Sequence, residues 1–281
     1  MRVLITGSSG QLGKMLQAKL KDAELALVDL PEVDITDRKH IFATIHSFSP
    51  DVVIHCAAYT DVDGCVSNPQ LAYQVNSLGT QNVALACQRS EATMIHISTN
   101  EVFAGDIVDG YEEWMQPNPI NIYGRTKAAS EYHVRSICQR FYIVRTAWLY
   151  APGGHNFIHA ILHQAEHGAT LRVVTDEIGN PTNADDLAEG IIKLIESDQF
   201  GTYHLINEGA CSRFEFAQEV LRLTNYSVAK IVPILSSEFQ RASTPPPFGA
   251  LINISGKAIG IQLQSWRAAL ADYIGEYADP R

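Results

Sequence analysis

Seven residues near the N-terminus, Gly7-Ser8-Ser9-Gly10-Gln11-Leu12-Gly13, constrain this chain more than any other stretch. They follow a short apolar run, Val3-Leu4-Ile5, and open an amphipathic stretch from Gln11 to Leu20. The order reads as strand, glycine turn, helix. Glycines at that place allow a tight turn and let a pyrophosphate approach the helix N-terminus, whose free amides and dipole favour anions. Three glycines alone are often only a turn, so the strand before and the helix after carry the weight of the reading. Asp29 closes a second apolar run, Leu25-Ala26-Leu27-Val28. It stands about twenty residues on, where a carboxylate accepts hydrogen bonds from an adenosine ribose.

The same rhythm continues to about Trp148. Val52–Ile54, Met94–Ile97 and Phe141–Trp148 read as strands, and Arg38–Phe48, Pro69–Cys87 and Asn121–Cys138 as helices. Buried apolar strands alternating with helices predict an α/β fold, a doubly wound parallel sheet of Rossmann type. A chain of 281 residues has room for about two domains. After residue 150 the pattern loosens at Pro152-Gly153-Gly154, and Thr175–Pro181 and Ser243–Gly249 carry loop chemistry. Ala184–Ile195 reads as a helix returning to the first domain. The expected division is residues 1–147 plus about 181–205 for a dinucleotide-binding domain. Residues from about 148 to 180, plus 206–281, then form a smaller C-terminal α/β substrate lobe.

Composition removes several classes of function. Acidic residues outnumber basic ones by 31 to 21, for a net charge of −10. A nucleic-acid surface needs a basic patch that releases counterions, so none is expected. Phosphorylated small molecules survive this cut, because backbone amides can hold them. No apolar run approaches the roughly 18 residues of a membrane span, and the N-terminal run is too short for a signal-peptide core. Cys56, Cys65, Cys87, Cys138 and Cys211 are odd in number and include no CxxC pair. A reduced, cytoplasmic setting is expected, without disulfides or structural zinc.

Chemistry enters with Tyr123-Gly124-Arg125-Thr126-Lys127. A phenol and an ammonium four residues apart on a helix share one face. An adjacent ammonium favours phenolate, so Lys127 is expected to lower the Tyr123 pKa from about 10. That pairing suits proton transfer at a carbinol oxygen during hydride transfer. Alone, such a pair is usually a surface pair. Here it follows the glycine loop and a polar Ser98-Thr99 at the end of a sheet strand, where open α/β sheets bind ligands.

Further blocks carry a likeness over essentially the whole chain. They are Asp34-Ile35-Thr36-Asp37, Ala57 to Asp63, Ala72-Tyr73-Gln74-Val75-Asn76, Ser98 to Gly105, Asn121 to Lys127, Arg145 to Tyr150, Asn156-Phe157 and Gly179-Asn180-Pro181-Thr182. With them the sequence resembles the extended short-chain dehydrogenase/reductase family, and within it the dTDP-4-dehydrorhamnose reductases. The resemblance implies NADH- or NADPH-dependent reduction of the C4 ketone of a dTDP-4-keto-6-deoxy sugar. Tyr123 would be the proton donor, Lys127 its modulator and a nicotinamide-ribose ligand, and Thr99 a hydrogen-bond partner of the C4 oxygen. Gly7, Gly10, Gln11, Leu12 and Gly13 would hold the pyrophosphate, and Asp29 the ribose. Asp34 and Ile35 would flank the adenine, with Ala58, Tyr59 and Thr60 on the nicotinamide side. Asn100, Trp148 and Asn156 would meet the nucleotide-sugar, with the free amides of the helix opened by Asn156-Phe157 suited to its diphosphate. Asp29 repels a 2′-phosphate and no base follows it directly, so NADH is expected to serve at least as well as NADPH.

Three departures from the family pattern stand out. Thr99-Asn100-Glu101-Val102-Phe103 replaces Thr-Asp-Tyr-Val-Phe, and His55-Cys56-Ala57-Ala58 replaces a run of alanines. The segment Thr244 to Asn253 lacks an arginine that the family carries there. Two rival readings stay open: another nucleotide-sugar 4-ketoreductase or epimerase, and a non-catalytic regulatory subunit like the β subunit of methionine adenosyltransferase. Oligomeric state is open too, a homodimer included. His155, His159, His163 and His167 fall four apart. They are expected as an aligned helix face and not a metal site, because nothing completes a ligand set.

Overall fold

The computed structural model describes residues 1–153, 156–226 and 228–277. In chain order it runs β1 (Arg2–Thr6), α1 (Gln11–Lys19), β2 (Glu24–Val28), α2 (Arg38–Phe48), β3 (Val52–His55), α3 (Val62–Ser67) and α4 (Pro69–Ala72). A π-helical turn over Tyr73–Gly79 joins α4 to α5 (Thr80–Arg89). Then come β4 (Thr93–Thr99), α6 (Ile122–Ile137), β5 (Phe141–Thr146), β6 (Leu149–Tyr150), α7 (Phe157–Glu166), β7 (Leu171–Val174), β8 (Ile178–Gly179) and β9 (Thr182–Asn183). The chain ends with α8 (Ala184–Ser197), β10 (Gly201–His204), β11 (Cys211–Ser212), α9 (Arg213–Leu223), β12 (Ile231–Ile234), α10 (Ser255–Ala258) and α11 (Trp266–Tyr277).

Six strands form one parallel sheet in the order β10-β5-β4-β3-β1-β2. Successive side chains of a strand point to opposite faces, and a sheet covered on both sides needs apolar residues at every position. The strands obey this. Val3, Ile5, Ile54, Ile95 and Val144 join one core with Leu12 and Leu16 of α1 and Leu187 and Ile191 of α8. Leu4, Val53, Met94 and Ile143 join the other, under α2, α5 and α6. The structure is therefore the doubly wound fold expected from sequence. One detail differs: β2 is an edge strand, and Leu27 is exposed on it, because only β1 pairs with it.

The order in which strands are added to the sheet reverses between β1 and β3, which are neighbours in space with β2 outside them. A crevice opens at such a point, beyond the carboxyl ends of the strands. The C-terminal lobe closes over that end. Its own core gathers Tyr150, Ile158, Leu171, Phe216, Val220, Trp266, Leu270 and Tyr273, bound by the small pairings β6–β9, β7–β12 and β8–β11. The lobe is also tied down by a strap, residues 241–249. Ser243 bonds the Asp63 carboxylate, Asn121 donates to the Thr244 carbonyl, and Phe248 N–H donates to the Gly105 carbonyl.

Candidate active site

The glycine turn sits where β1 hands over to α1. Gly7 has φ of +66°, and a Cβ there would stand 2.6 Å from the Ala57 nitrogen. Only glycine lets the two loops that leave β1 and β3 touch. Gly10 is the N-cap of α1 and offers no side-chain cap, so the first amides of that helix stay available. By contrast, α2, α6, α7, α8 and α9 each have a capping side chain on their first amides. Gln11 opens α1 at the crevice, Leu12 turns into the core, and Gly13 packs against the Gly7 carbonyl. A cradle that any Cβ would fill, ending in uncapped helix amides, fits the pyrophosphate of a dinucleotide.

Asp29 stands at the mouth of the same turn, its carboxylate accepting from Ser9 N–H at 2.7 Å and from Leu30 N–H. The loop after β3 is fixed by Asn76, which stood in a recognised block without an assigned role. The Asn76 amide accepts from Tyr59 N–H, donates to the Tyr59 carbonyl and donates to Thr126 on α6. It thereby locks Ala58, Tyr59 and Thr60 to the helix bearing Tyr123. At the expected adenine wall Asp34 is exposed and Ile35 is buried. Asp34 caps its own turn at Thr36, and the Ile35 side chain lies in the core against Gly79. Burial in a hydrophobic cluster outcompetes exposure to a ligand for that isoleucine.

Tyr123 comes forward from the second residue of α6, and the Thr99 hydroxyl at the end of β4 hydrogen-bonds it. Two hydroxyls thus meet at the strand end. The expectation that Lys127 would favour phenolate fails here. Burial, then the neighbouring Glu101 and Cys65, push the Tyr123 phenol well above its ordinary value. Lys127 points elsewhere. Its ammonium donates to the Ile97 carbonyl at 2.7 Å and lies beside the buried His96. Burial lowers its own pKa to about 8, against the raising effects of Glu131 and Cys56. Behind it, Arg145 grips Glu131 through two 2.8 Å bonds, and Ser98 and Arg135 complete the network. Burial disfavours the Glu131 carboxylate, but these donors more than offset it and hold its pKa below the ordinary value.

Asn100 needs a correction. It was expected on the substrate, yet its amide donates to the Gly249 carbonyl while its oxygen accepts from Thr99. Both ends are engaged, so it anchors the strap. Asn156 is similarly engaged: its oxygen caps His159 N–H, so one of the amides expected for a diphosphate is already bonded. Its nitrogen donates to the Ala151 carbonyl and reaches Gln11 across the lobes.

Beside these groups lies a cavity of about 450 Å³. Its walls include Trp148, Phe157, Phe216, Arg172, Arg213 and Arg241, with Glu177 the one acid among the lining residues. Trp148 has a left-handed backbone, φ +44°, and its ring lies so close to Gly179 that a Cβ there would stand 2.6 Å from it. The Arg213 guanidinium covers the Trp148 ring at 3.6 Å. Arg241 pairs with Glu177 and Arg172 with Glu238, but the Arg213 guanidinium makes neither ion pair nor hydrogen bond among the described residues, while its backbone N–H donates to the Glu177 carbonyl. Burial draws its pKa down to about 10. An acidic chain has here assembled a cationic, aromatic pocket. Gly179 stood in a recognised block, whereas nothing local marked Arg213 or Arg241, because three distant segments bring them together.

His159 approaches Tyr273, while His163 and His167 stack at the exposed end of α7; His155 lies outside the described residues. Among the described residues no group of three potential ligands could hold a metal, and all five cysteines are free. No helix of the described residues is long and apolar enough to cross a membrane.

Fold and site together define a Rossmann-type oxidoreductase that uses a nicotinamide cofactor. The chain belongs to the family described as RmlD substrate binding domain, whose model matches residues 1–279. It is 36% identical over 277 residues to the spore coat polysaccharide biosynthesis protein SpsK of Bacillus subtilis, covering 98% of this chain and 97% of that one. It is 37% identical to a dTDP-4-dehydrorhamnose reductase of Mycobacterium tuberculosis, covering 96% of this chain and 91% of that one. A crystal structure of dTDP-4-dehydrorhamnose reductase from Bacillus anthracis, in complex with NADP, superimposes with a TM-score of 0.94. That protein shares 38% identity, with 98% of this chain and 99% of the other covered.

Proposed function

We propose that the chain reduces the C4 ketone of a thymidine diphosphate 4-keto-6-deoxy sugar, dTDP-4-dehydrorhamnose giving dTDP-L-rhamnose. The observation that carries this reading is the pair of hydroxyls, Tyr123 and Thr99, at a strand end with the Trp148–Arg213 pocket beside it. Relatives named for this reaction support it. The nicotinamide cofactor supplies the hydride to the carbonyl carbon. Everything else is done by this chain. A phenol held protonated by burial is an acid ready to deliver its proton to the carbonyl oxygen as charge develops there. Thr99 fixes that oxygen, and Lys127 serves the nicotinamide ribose. The amides of α1 and the Gly7 cradle hold the pyrophosphate, and Asp29 the adenosine ribose.

The diphosphate of the sugar nucleotide lies against Arg213, whose guanidinium makes no ion pair among the described residues, and the base stacks toward Trp148. This placement moves the diphosphate from the N-terminus of α7, where Asn156 already caps an amide, to a side chain with charge to offer. Asp29 leaves NADH an acceptable alternative to NADPH. The test is oxidation of NADPH and NADH by the purified protein across a panel of 4-keto-6-deoxy nucleotide sugars. Turnover with the thymidine diphosphate sugar supports the reading; cofactor binding without turnover of any member refutes it.

A further inference from the structure

Reduction as described leaves one ionisable group of the site unused. Glu101 lies on the 3-10 turn Asn100–Val102 that follows β4, two residues after Thr99. Its amide donates to the Thr99 hydroxyl, and its Oε2 accepts from Asn121 at 2.6 Å. Asn121 is the N-cap of α6, two residues before Tyr123, and a Cβ at Gly124 would run into the Glu101 carbonyl. The carboxyl is thus held by both segments that supply the reacting hydroxyls. Its Oε1 has no hydrogen-bond partner among the described residues. The charge of Glu101 bears on Tyr123 on one side and on Arg213 and Arg241 on the other. It therefore stands between Tyr123 and the two arginines of the cavity wall. Burial makes its carboxylate a stronger base than an ordinary glutamate.

Resting on the reading of the pocket as a 4-keto sugar site, we propose that Glu101 is a catalytic base for the carbon next to the ketone, giving the protein a proton-exchange activity besides reduction. A C–H beside a ketone is acidic because its electron pair can move onto the carbonyl oxygen. Glu101 takes that proton. The C–H electron pair becomes a carbon–carbon double bond, and the negative charge settles on the C4 oxygen, where the Tyr123 and Thr99 hydroxyls hydrogen-bond it. The proton on Glu101 exchanges with water, and the reverse step returns a solvent proton to the same carbon. Nothing is oxidised or reduced, and water is the only other participant.

The alternative is that Glu101 only braces the Asn121 cap. Glu101→Gln separates the two, since a carboxamide oxygen still accepts from Asn121 but cannot take a proton from carbon. The experiment incubates the protein, loaded with oxidised cofactor, with a thymidine diphosphate 4-keto-6-deoxy sugar in deuterium oxide, and follows deuterium at the carbons flanking the ketone by proton NMR. Wild-type protein is expected to incorporate deuterium well above the buffer rate. E101Q is expected to lose about 10²–10⁴-fold, the usual worth of an acid–base group, and Glu101→Asp to recover part of it. Unchanged cofactor affinity in E101Q certifies its fold. Wild-type exchange at the buffer rate with NADPH oxidation intact, or exchange undiminished in folded E101Q, overturns the proposal alone. Absence of both exchange and NADPH oxidation in the wild-type protein overturns the reading of the pocket together with it.

Discussion

On the glycine-turn side of the crevice the groups available to the proposed pyrophosphate are backbone amides; on the side of the C-terminal lobe the groups available to the proposed sugar nucleotide are side chains. The first side needs Gly7, the uncapped start of α1 and the loop that Asn76 locks in place. The second needs Trp148, Arg213 and Arg241, with Gly179 leaving room for the indole ring. A site made of backbone can be written in seven consecutive residues, because the turn and the helix end make the geometry. A site made of side chains exists only after β6–β9 and β8–β11 have paired.

The hardest break is on the backbone side. Gly7→Val places a β-branched side chain at φ +66° and into the Ala57 backbone, a strain of about 1–3 kcal/mol that also fills the cradle. Calorimetry should then detect no NADPH binding at concentrations that saturate the wild type. Retained affinity would show that the glycine turn is not what holds the pyrophosphate.

Next comes Tyr123, the proposed acid between the two halves. Tyr123→Phe should lower kcat by about 10²–10⁴-fold with cofactor affinity nearly unchanged, as read by steady-state kinetics beside calorimetry. Near-normal turnover would take the phenol out of the mechanism.

On the side-chain half the expected effects are smaller and fall on the sugar nucleotide. Arg213→Gln removes a charged donor worth about 1.5–3 kcal/mol, so KM for the thymidine diphosphate sugar should rise roughly 10–100-fold while NADPH still binds. Trp148→Ala should cost less, and the double variant less than the sum, because the two groups stack. Strict additivity would mean that they serve different parts of the ligand.

This gradient also explains what the sequence could and could not disclose. The parallel sheet was readable because strands buried on both faces, such as Val3–Ile5 and Val52–Ile54, are apolar at every position. That Tyr123 and Thr99 come together was readable because the start of one helix and the end of one strand place them. The direction of the Tyr123 shift was not, since four-residue spacing says nothing about Lys127 turning to the Ile97 carbonyl. Nor could Asn100 be recognised as an anchor, because its partner, Gly249, is 149 residues away. Ile35 was placed beside the adenine through the resemblance, and only its packing under α2 and α5 shows that its side chain belongs to the core.

The mildest effect concerns pH. Lys127 titrates near 8 in the folded protein, held down by burial. Between that value and the ordinary lysine range the unfolded chain carries the extra proton, so this group makes stability rise with pH there; below about 8 both states are charged and it contributes no slope. Activity should move the other way, as the ammonium proposed to serve the nicotinamide ribose is lost above about pH 8. Urea melts and kcat/KM measured from about pH 7 to about pH 10 should therefore diverge, and Lys127→Arg should remove that limb. Parallel profiles would assign the basic limb to another group.

The central claim, transfer to the C4 carbon with Tyr123 supplying the proton, is tested most directly with reduced cofactor carrying deuterium at the transferred position. After turnover with the thymidine diphosphate 4-keto-6-deoxy sugar, NMR of the product should show that label at C4, and Tyr123→Phe should form the same labelled product at a much lower rate. Cofactor that binds but transfers no deuterium to C4 would contradict the account.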